Sequence, residues 1–275
     1  NSDAVTAVDL QYSGSATVAA TTSANTYSNG IVASNATGTG LSNYTITYSP
    51  ADLTVNKAAL TVTAANASKT YDGQAYTGGN GVTYSGFVNS ETSSVLGGTL
   101  AYGGTSQNAV NANTYTIVPS GLTSGNYTIT YGNGTLTVNK AALTVTAANA
   151  SKTYDGQAYT GGNGVTYSGF VNSETSSVLG GTLAYGGTSQ NAVNANTYTI
   201  VPSGLTSSNY TITYGNGTLT VNKAALTVTA NADSKTYGSV KTYGSGSTAF
   251  TSSGLVNSET IGSVTITDTN SGGVA

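Results

Sequence analysis

The sequence lacks several of the side chains on which protein chemistry most often depends. Its 275 residues include no cysteine, histidine, methionine, tryptophan or arginine. Without histidine, the chain has no imidazole to serve as a general base or a metal ligand near neutral pH. Without cysteine, it has neither thiolate chemistry nor disulfide bonds, so each small domain must be stable without a covalent cross-link. We therefore expect no cofactor and no enzymatic activity.

Charged residues are also scarce. Only 6% of residues are charged, whereas about a quarter is usual in globular proteins. The seven basic residues are all lysine, and ten acidic residues give a formal net charge of -3. Such a chain has no basic stripe for the phosphates of nucleic acid or for an anionic membrane surface. No apolar run approaches the roughly 20 residues of a membrane-spanning helix. From the charge and from the absence of such a run, we expect neither nucleic-acid binding nor membrane insertion.

The chain does contain a long internal repeat. Residues 58–140 and 141–223 are identical except that Ser208 replaces Gly125. The flanking sequences resemble parts of the same repeat, and NYTITYSPADLTVNKAA, from Asn43, parallels NYTITYGNGTLTVNKAA in the first full copy. We therefore expect an excerpt from a longer tandem array. The predicted domains are the C-terminal part of a diverged repeat, two full repeats and the N-terminal part of another diverged repeat, at residues 1–57, 58–140, 141–223 and 224–275.

Within each repeat, apolar and polar residues alternate with a period of two, which is typical of β-strands with one buried face. The glycines of Gly132-Asn133-Gly134 predict a β-hairpin between Tyr127–Tyr131 and Thr135–Val138. The segment NSETSSVL, from Asn89, is the only helical candidate, with Asn89 or Ser90 as its cap and at most two turns. The other strands predicted in the first full repeat are Leu60–Ala64, Val82–Tyr84, Thr99–Tyr102 and Thr114–Val118.

The predicted fold class is therefore all-β, with at most one short helical turn in each repeat. We expect a tandem array of antiparallel β-domains of about 83 residues, built either as an immunoglobulin-like sandwich or as a β-grasp-like sheet. Such small domains bury a limited share of their surface, so contacts between neighbouring repeats are expected to matter for stability.

The boundary between repeats contains no flexible spacer. The sequence LTVNKAALTVTA starts at Leu53, Leu136 and Leu219. Its two apolar halves have opposite parity, so an uninterrupted strand would point them to opposite faces. We predict that the last strand of one domain runs into the first strand of the next, which gives an elongated rod. The residues of this predicted structural joint are Lys57, Ala58, Ala59, Lys140, Ala141, Ala142, Lys223, Ala224 and Ala225.

Four acidic side chains are the first candidates for chemistry. Asp72 and Asp155 lie in the sequence YDG, and Glu91 and Glu174 lie in NSET. Paired carboxylates can hydrolyse glycosidic bonds, and carboxylates can bind calcium. Asp-Gly is also a common turn, however, and glutamate supports a helix start. Because nothing in the sequence supplies a pocket or further oxygen ligands, we interpret all four residues as structural and expect no metal site.

The recurring sequences KTYDG, SGFVNSET and NYTITYGNGTLTV resemble the YDG-type and related MBG repeat domains of large bacterial surface adhesins, including filamentous-haemagglutinin-like exoproteins. The sequence KTYGS in the last segment resembles the YGX-type variant. The resemblance implies an exported, repetitive stalk at the bacterial surface. It offers no catalytic or binding residue that transfers to this sequence.

The leading functional hypothesis is therefore a structural stalk or spacer that presents a binding region for cell adhesion or biofilm formation. Its first partners would be neighbouring repeats of the same chain. Two alternatives remain open at this point. The repeats themselves could bind surface glycans or host proteins multivalently, or copies of the chain could assemble into an extracellular matrix fibre.

Overall fold

The computed structural model describes residues 2–269. The chain divides into two compact units, residues 1–140 and 141–275. The described residues contain 19 strands and three short 3-10 helices, which confirms the all-β prediction. No helix in this described part is long and apolar enough to cross a membrane.

The first unit begins with a small antiparallel sheet. Its strands are β1 (Ala4–Tyr12), β2 (Asn25–Thr39) and β3 (Ala51–Val55), in the order β1-β2-β3. Register shifts interrupt the pairing of β2 with both neighbours. This sheet is mostly exposed, so it has little core of its own.

The first full repeat follows at once and contains two sheets, ordered β6-β4-β9 and β5-β10-β8-β7. The strands of the repeat are thus divided between two sheets and do not form one continuous sheet. The strands are β4 (Ala58–Ala64), β5 (Ala67–Thr70), β6 (Val82–Ser85), β7 (Gly97–Gly103), β8 (Asn113–Thr123), β9 (Tyr127–Gly132) and β10 (Gly134–Asn139).

The buried apolar residues of a full repeat form more than one cluster. Leu60, Val62 and Tyr127 form one in the first repeat, and Ile200, Leu219 and Val221 belong to another in the second repeat. Leu60 and Val62 on β4, Ile117 on β8, and Leu136 and Val138 on β10 are all at most 3% exposed. They alternate with exposed or half-buried threonines on the same strands, as expected for strands with one buried face. β4 packs against β8 and β10, which brings the two sheets together.

The sheets are mixed rather than purely antiparallel. β4 pairs in parallel with β9, and β5 pairs in parallel with β10. The remaining pairs of the repeat are antiparallel. The expectation of antiparallel domains was therefore wrong for these two pairs, because alternation of side chains defines a strand and its face but not its direction.

The predicted hairpin at Gly132-Asn133-Gly134 was also wrong. β9 and β10 belong to different sheets, so the chain crosses from one sheet to the other at Asn133. Neither glycine has a positive φ. A Cβ at Gly132 would lie 2.7 Å from Thr63 Oγ1, and one at Gly134 would lie 2.7 Å from the Ala64 carbonyl oxygen. These glycines are needed for close approach to β4 and not for a hairpin turn.

The predicted helical segment is a single 3-10 turn, Ser93–Val95. The hydroxyl of Thr92 accepts a hydrogen bond from the Ser94 N–H and caps this turn. Asn89 and Ser90, the expected caps, instead have positive φ values of 54° and 59° in the preceding turn. β5 was not predicted, because Ala-Ser-Lys-Thr has no apolar alternation.

The second unit repeats this architecture. Its sheets are ordered β13-β11-β16 and β12-β17-β15-β14, and two further strands, β18 and β19, pair with each other. The strands are β11 (Ala141–Ala147), β12 (Ala150–Thr153), β13 (Val165–Ser168), β14 (Gly180–Gly186), β15 (Thr197–Thr206), β16 (Tyr210–Gly215), β17 (Gly217–Asn222), β18 (Thr227–Ala230) and β19 (Phe250–Ser253).

The same sequence adopts different structures in full and partial repeats. NYTITY forms strands β9 and β16, but in the first segment Ile46 and Tyr48 lie outside any strand. In the first full repeat, Leu60 and Val62 of the sequence LTVT are buried. In the last segment, Val228 of the same sequence is 41% exposed. In the full repeats these two sequences pair with each other. Each therefore needs the opposite end of its repeat to form a buried strand.

Candidate structural joint between repeats

The joint at Lys57 lies inside the first unit, where the chain passes from β3 to β4. Only Asn56 and Lys57 separate the two strands. The Lys57 ammonium donates a hydrogen bond of 2.9 Å to the Ser124 carbonyl oxygen. The Ala58 N–H donates to the Asn126 carbonyl oxygen at 2.9 Å. The connection is thus both short and fixed to the loop between β8 and β9.

Two asparagines tie the loop between β1 and β2 to the first full repeat. Asn126 accepts a hydrogen bond of 3.0 Å on its Oδ1 from the Ala24 N–H. The Asn89 amide donates to the Ala20 carbonyl oxygen, also at 3.0 Å. These two bonds and the bond from Lys57 link residues on the two sides of the joint. Sequence analysis missed both asparagines, because they lie 32 and 69 positions along the chain from Lys57.

At this joint, the residues that face the interior change from odd-numbered to even-numbered positions. The half-buried residues of β3 are Leu53 and Val55, whereas the fully buried apolar residues of β4 include Leu60 and Val62. The two residues outside the strands allow this change, because strict alternation would otherwise continue.

The joint at Lys223 lies inside the second unit and has a longer connection. β17 ends at Asn222 and β18 begins at Thr227, so the predicted continuous strand is interrupted here. Lys223, Ala224 and Leu226 line a cleft of about 330 Å³ beside this connection. The longer break accompanies a last segment that has fewer strand partners than a full repeat.

Two sequence motifs meet across this second joint. The Tyr154 hydroxyl, from YDG, donates a hydrogen bond to the Glu259 carboxylate, from the NSET of the following segment. At Gly156, φ is +73° and a Cβ would lie 2.4 Å from the Asn257 Cβ. Parallel pairing of β12 with β17 explains this position, because it places Tyr154 N–H 2.8 Å from the Asn222 carbonyl oxygen.

The remaining joint residues follow the strand pattern. Ala59 and Ala142 are exposed residues of β4 and β11, and Ala225 is exposed outside any strand. Lys140 alone separates the end of β10 from the start of β11. Ala141, the first residue of β11, is 4% exposed and donates its N–H to the Asn209 carbonyl oxygen.

A family model, the MBG domain of YGX type, matches residues 60–137 and 143–220. The chain belongs to this family. The match confirms the resemblance seen in the sequence motifs, and it starts and ends within a few residues of each joint. MBG repeats of this kind belong to extracellular surface proteins. Searches of curated proteins and of solved structures found no match.

Each full MBG repeat also contains an internal tyrosine–glutamate pair. Tyr127 is 2% exposed, and its hydroxyl donates to Glu91 Oε2 at 2.5 Å and accepts from the Val88 N–H at 3.1 Å. Tyr210 and Glu174 form the same pair in the second repeat. Burial, reinforced by the hydrogen bond to glutamate, raises the pKa of Tyr127 and of Tyr210. The pair holds the NSET segment of each repeat against its β9 or β16.

We predict that these tyrosines make the MBG repeats sensitive to high pH. Because the folded-state pKa is raised, their contribution to stability is complete below about pH 10 and is lost as the pH rises through the raised pKa. Replacing both, Tyr127→Phe with Tyr210→Phe, should lower the thermal midpoint at pH 7 by roughly 5 °C. The same variant should lose less stability than the original chain between pH 9 and 12.

Thermal unfolding followed by circular dichroism across this pH range provides the measurement. Tyr237→Phe is the matched control, because Tyr237 is 98% exposed. An unchanged alkaline slope in the double variant would show that the buried tyrosines do not govern this transition.

The aspartates of the YDG motifs have a different structural role. Asp72 Oδ1 lies 2.7 Å from Lys69 Nζ and accepts the Gln74 N–H at 2.9 Å. The Lys69 ammonium, and then the Gln74 N–H, lower the pKa of Asp72. Asp155 makes the same contacts with Lys152 and Gln157. Residues 2–269 contain no group of three or more acidic side chains placed to hold a metal ion.

Proposed function

We propose that this chain is a structural spacer of a secreted bacterial adhesin or surface fibre, and that it presents a binding region for cell adhesion or biofilm formation. The observation that carries the proposal is the two-residue joint at Lys57, with hydrogen bonds between its two sides. A spacer needs modules that keep their spacing, and this joint has no freely rotating segment.

The contacts at Lys57 support restricted bending. A flexible linker needs several glycine or serine residues, and each added residue widens the range of distances between the two linked domains. Here Asn56 and Lys57 are neither, and Lys57 is held at Ser124. The two asparagine contacts lie on other loops and oppose rotation about the joint. The asparagines on one side of this contact, Asn89 and Asn126, recur as Asn172 and Asn209 in the second repeat.

An extracellular location agrees with the composition. Cysteine and methionine are the side chains most readily oxidised outside the cell, and the chain has neither. The proposal therefore places the MBG repeats on the outside of the bacterium.

Spin-label distances would test the stiffness of the joint. Because the chain has no native cysteine, Val32→Cys and Val95→Cys place one label on each side of Lys57, at positions 48% and 46% exposed. We expect a narrow distance distribution. Inserting Gly-Ser-Gly-Ser between Asn56 and Lys57 should broaden it by about 10 Å, the scale of a flexible four-residue linker.

A second label pair serves as the control. Val95→Cys with Thr128→Cys lies within one MBG repeat, so its distances should stay unchanged by the insertion. A distribution that is already broad without the insertion would contradict the spacer proposal, because the joint would then be flexible.

A further inference from the structure

Each full MBG repeat carries the same polar cleft beside its four-stranded sheet. The cleft measures about 630 Å³ in both repeats, which is within the size range of small-ligand sites. Its position is separate from the joints and from the tyrosine–glutamate pairs. Its lining in the first repeat includes Ser68, Tyr76, Thr77, Asn80, Thr135 and Thr137.

The floor of the cleft is the solvent face of β5 and β10. Ser68 and Thr137 are register partners on these strands, so their side chains lie next to each other. Thr135, two residues before Thr137 on β10, lies on the same face, whereas Leu136 points into the core. Within residues 2–269, the hydroxyls of Ser68 and Thr137 have no hydrogen-bond partner, so they are available to a ligand.

The wall of the cleft is held in place by a glutamine. The Gln107 amide donates to the Gly78 carbonyl oxygen and accepts the Gly78 N–H, both at 2.8 Å. It also donates to Ser106, which is fully buried. The Gln107 side chain thus satisfies both backbone groups of Gly78 in the loop at 76–80, as a neighbouring strand would do. The loop is thereby fixed before any ligand arrives, which limits the entropy lost on binding.

Two further contacts define the shape of the wall. The Asn80 amide donates to the Asn66 carbonyl oxygen at 2.8 Å and ties the wall to the floor. At Gly79 the backbone lies against the ring of Tyr102, where a Cβ would come within 2.4 Å. A larger residue at this position would displace the loop. The cleft is therefore a built feature with the same contacts at Asn163 and Gly162.

The chemistry of the lining selects the class of ligand. It contains hydroxyl and amide groups that both donate and accept hydrogen bonds, a tyrosine ring, and no charged side chain. The nearest lysine, Lys69, is turned to Asp72 and the Gln74 carbonyl oxygen. An ionic ligand would find no counter-charge there, and an apolar ligand would leave the hydroxyls unpaired.

We propose that this cleft binds a neutral oligosaccharide. A sugar offers several hydroxyls to Ser68, Thr77 and Thr137, and its apolar ring face fits against the aromatic ring of Tyr76. The second repeat presents an identical set of residues around Tyr159 and Thr220. Two equal sites on one chain increase the avidity for a surface that carries many copies of the sugar. The proposal is independent of the spacer function.

Calorimetric titration of the full chain tests this inference. The probes are chitohexaose, cellohexaose and maltohexaose, with hexagalacturonate as the charged comparison. We expect at least one neutral hexasaccharide to bind with two sites per chain and hexagalacturonate to bind at least 10-fold more weakly. The paired variant Thr137→Asp with Thr220→Asp should weaken binding at least 10-fold, because it places a charge on the floor of each cleft.

The matched control is Thr128→Asp with Thr211→Asp, exposed positions on β9 and β16 in the other sheet. It should bind as the original chain does. If the variant at Thr137 and Thr220 fails to fold, Ser68→Ala with Ser151→Ala removes two ligand-facing hydroxyls with little change in shape and should weaken binding several-fold. Absence of saturable binding to all three neutral probes, preference for hexagalacturonate, or full binding by the cleft variants would overturn the proposal.

Discussion

Replacing Leu136 with alanine, together with Leu219→Ala in the second repeat, is expected to lower the free energy of unfolding of each repeat by roughly 2–5 kcal/mol. Both leucines are 0% exposed and lie at the centre of β10 and β17. Truncation removes buried apolar surface and leaves a cavity among the buried side chains around these strands. A domain of this size has a total stability of only about 5–15 kcal/mol, so the loss is a large fraction.

Chemical denaturation followed by circular dichroism would measure this loss. Val95→Ala with Val178→Ala is the matched control, because each valine is 46% exposed. The control should change the free energy of unfolding by less than about 0.5 kcal/mol. A leucine variant as stable as the control would contradict the assignment of these residues to the core.

Replacing Gly121 with alanine, together with Gly204→Ala, is expected to destabilise each repeat by at least roughly 2 kcal/mol. Gly121 has a φ of +89°, and its added Cβ would lie 2.2 Å from the Thr99 carbonyl oxygen. Gly98, in the paired strand β7, has a φ of +78° and an equally close approach to the Gly121 carbonyl oxygen. The register shift between β7 and β8 occurs directly after Gly98. The two glycines therefore form a bulge that no side chain fits.

The chain provides its own control for this experiment. Gly125→Ser introduces the residue that the second repeat already has at Ser208. A Cβ at Gly125 would meet no atom within 4 Å, so we expect little change in unfolding. If Gly121→Ala and Gly125→Ser unfolded at the same denaturant concentration, the bulge would not be a strict requirement for glycine.

The sequence allowed the strands to be predicted where side chains alternate clearly. Leu60–Ala64 and Thr114–Val118 lie within β4 and β8 because threonine and apolar residues alternate there. β5 has no such alternation, and its strand forms because β10 lies beside it. Pairing between distant segments is a property of the folded domain, so a local pattern does not contain it.

The glycines show a second limit of sequence reasoning. Gly132 and Gly134 resemble a turn in the sequence, yet they serve a close crossing between sheets. Gly121 and Gly98 have the positive φ values that a turn would use, yet they lie within paired strands. A glycine indicates that a side chain is not tolerated, but the reason depends on what lies opposite in the fold.

The candidate joint was easier to locate than to describe. Exact repetition of LTVNKAALTVTA gave the position of Lys57, but not its bond to Ser124 or the contacts of Asn89 and Asn126. The clefts were not foreseen at all. Their lining joins residues of β5, the loop at 76–80 and β10, and only the fold brings these together.

The two parallel strand pairs determine when a repeat can finish folding. β4 begins at Ala58 but pairs with β9 from Tyr127 onwards, and β5 pairs with β10, the last strand of the repeat. β4 can first pair with β6. A chain that emerges from a ribosome or a narrow pore with its N-terminus first nevertheless leaves β5 unpaired, and β4 without its second partner, until nearly the whole repeat is outside. The repeats then finish folding one at a time, and a folded repeat is too wide to pass back through the pore. The topology would thus give the movement of such a chain a direction.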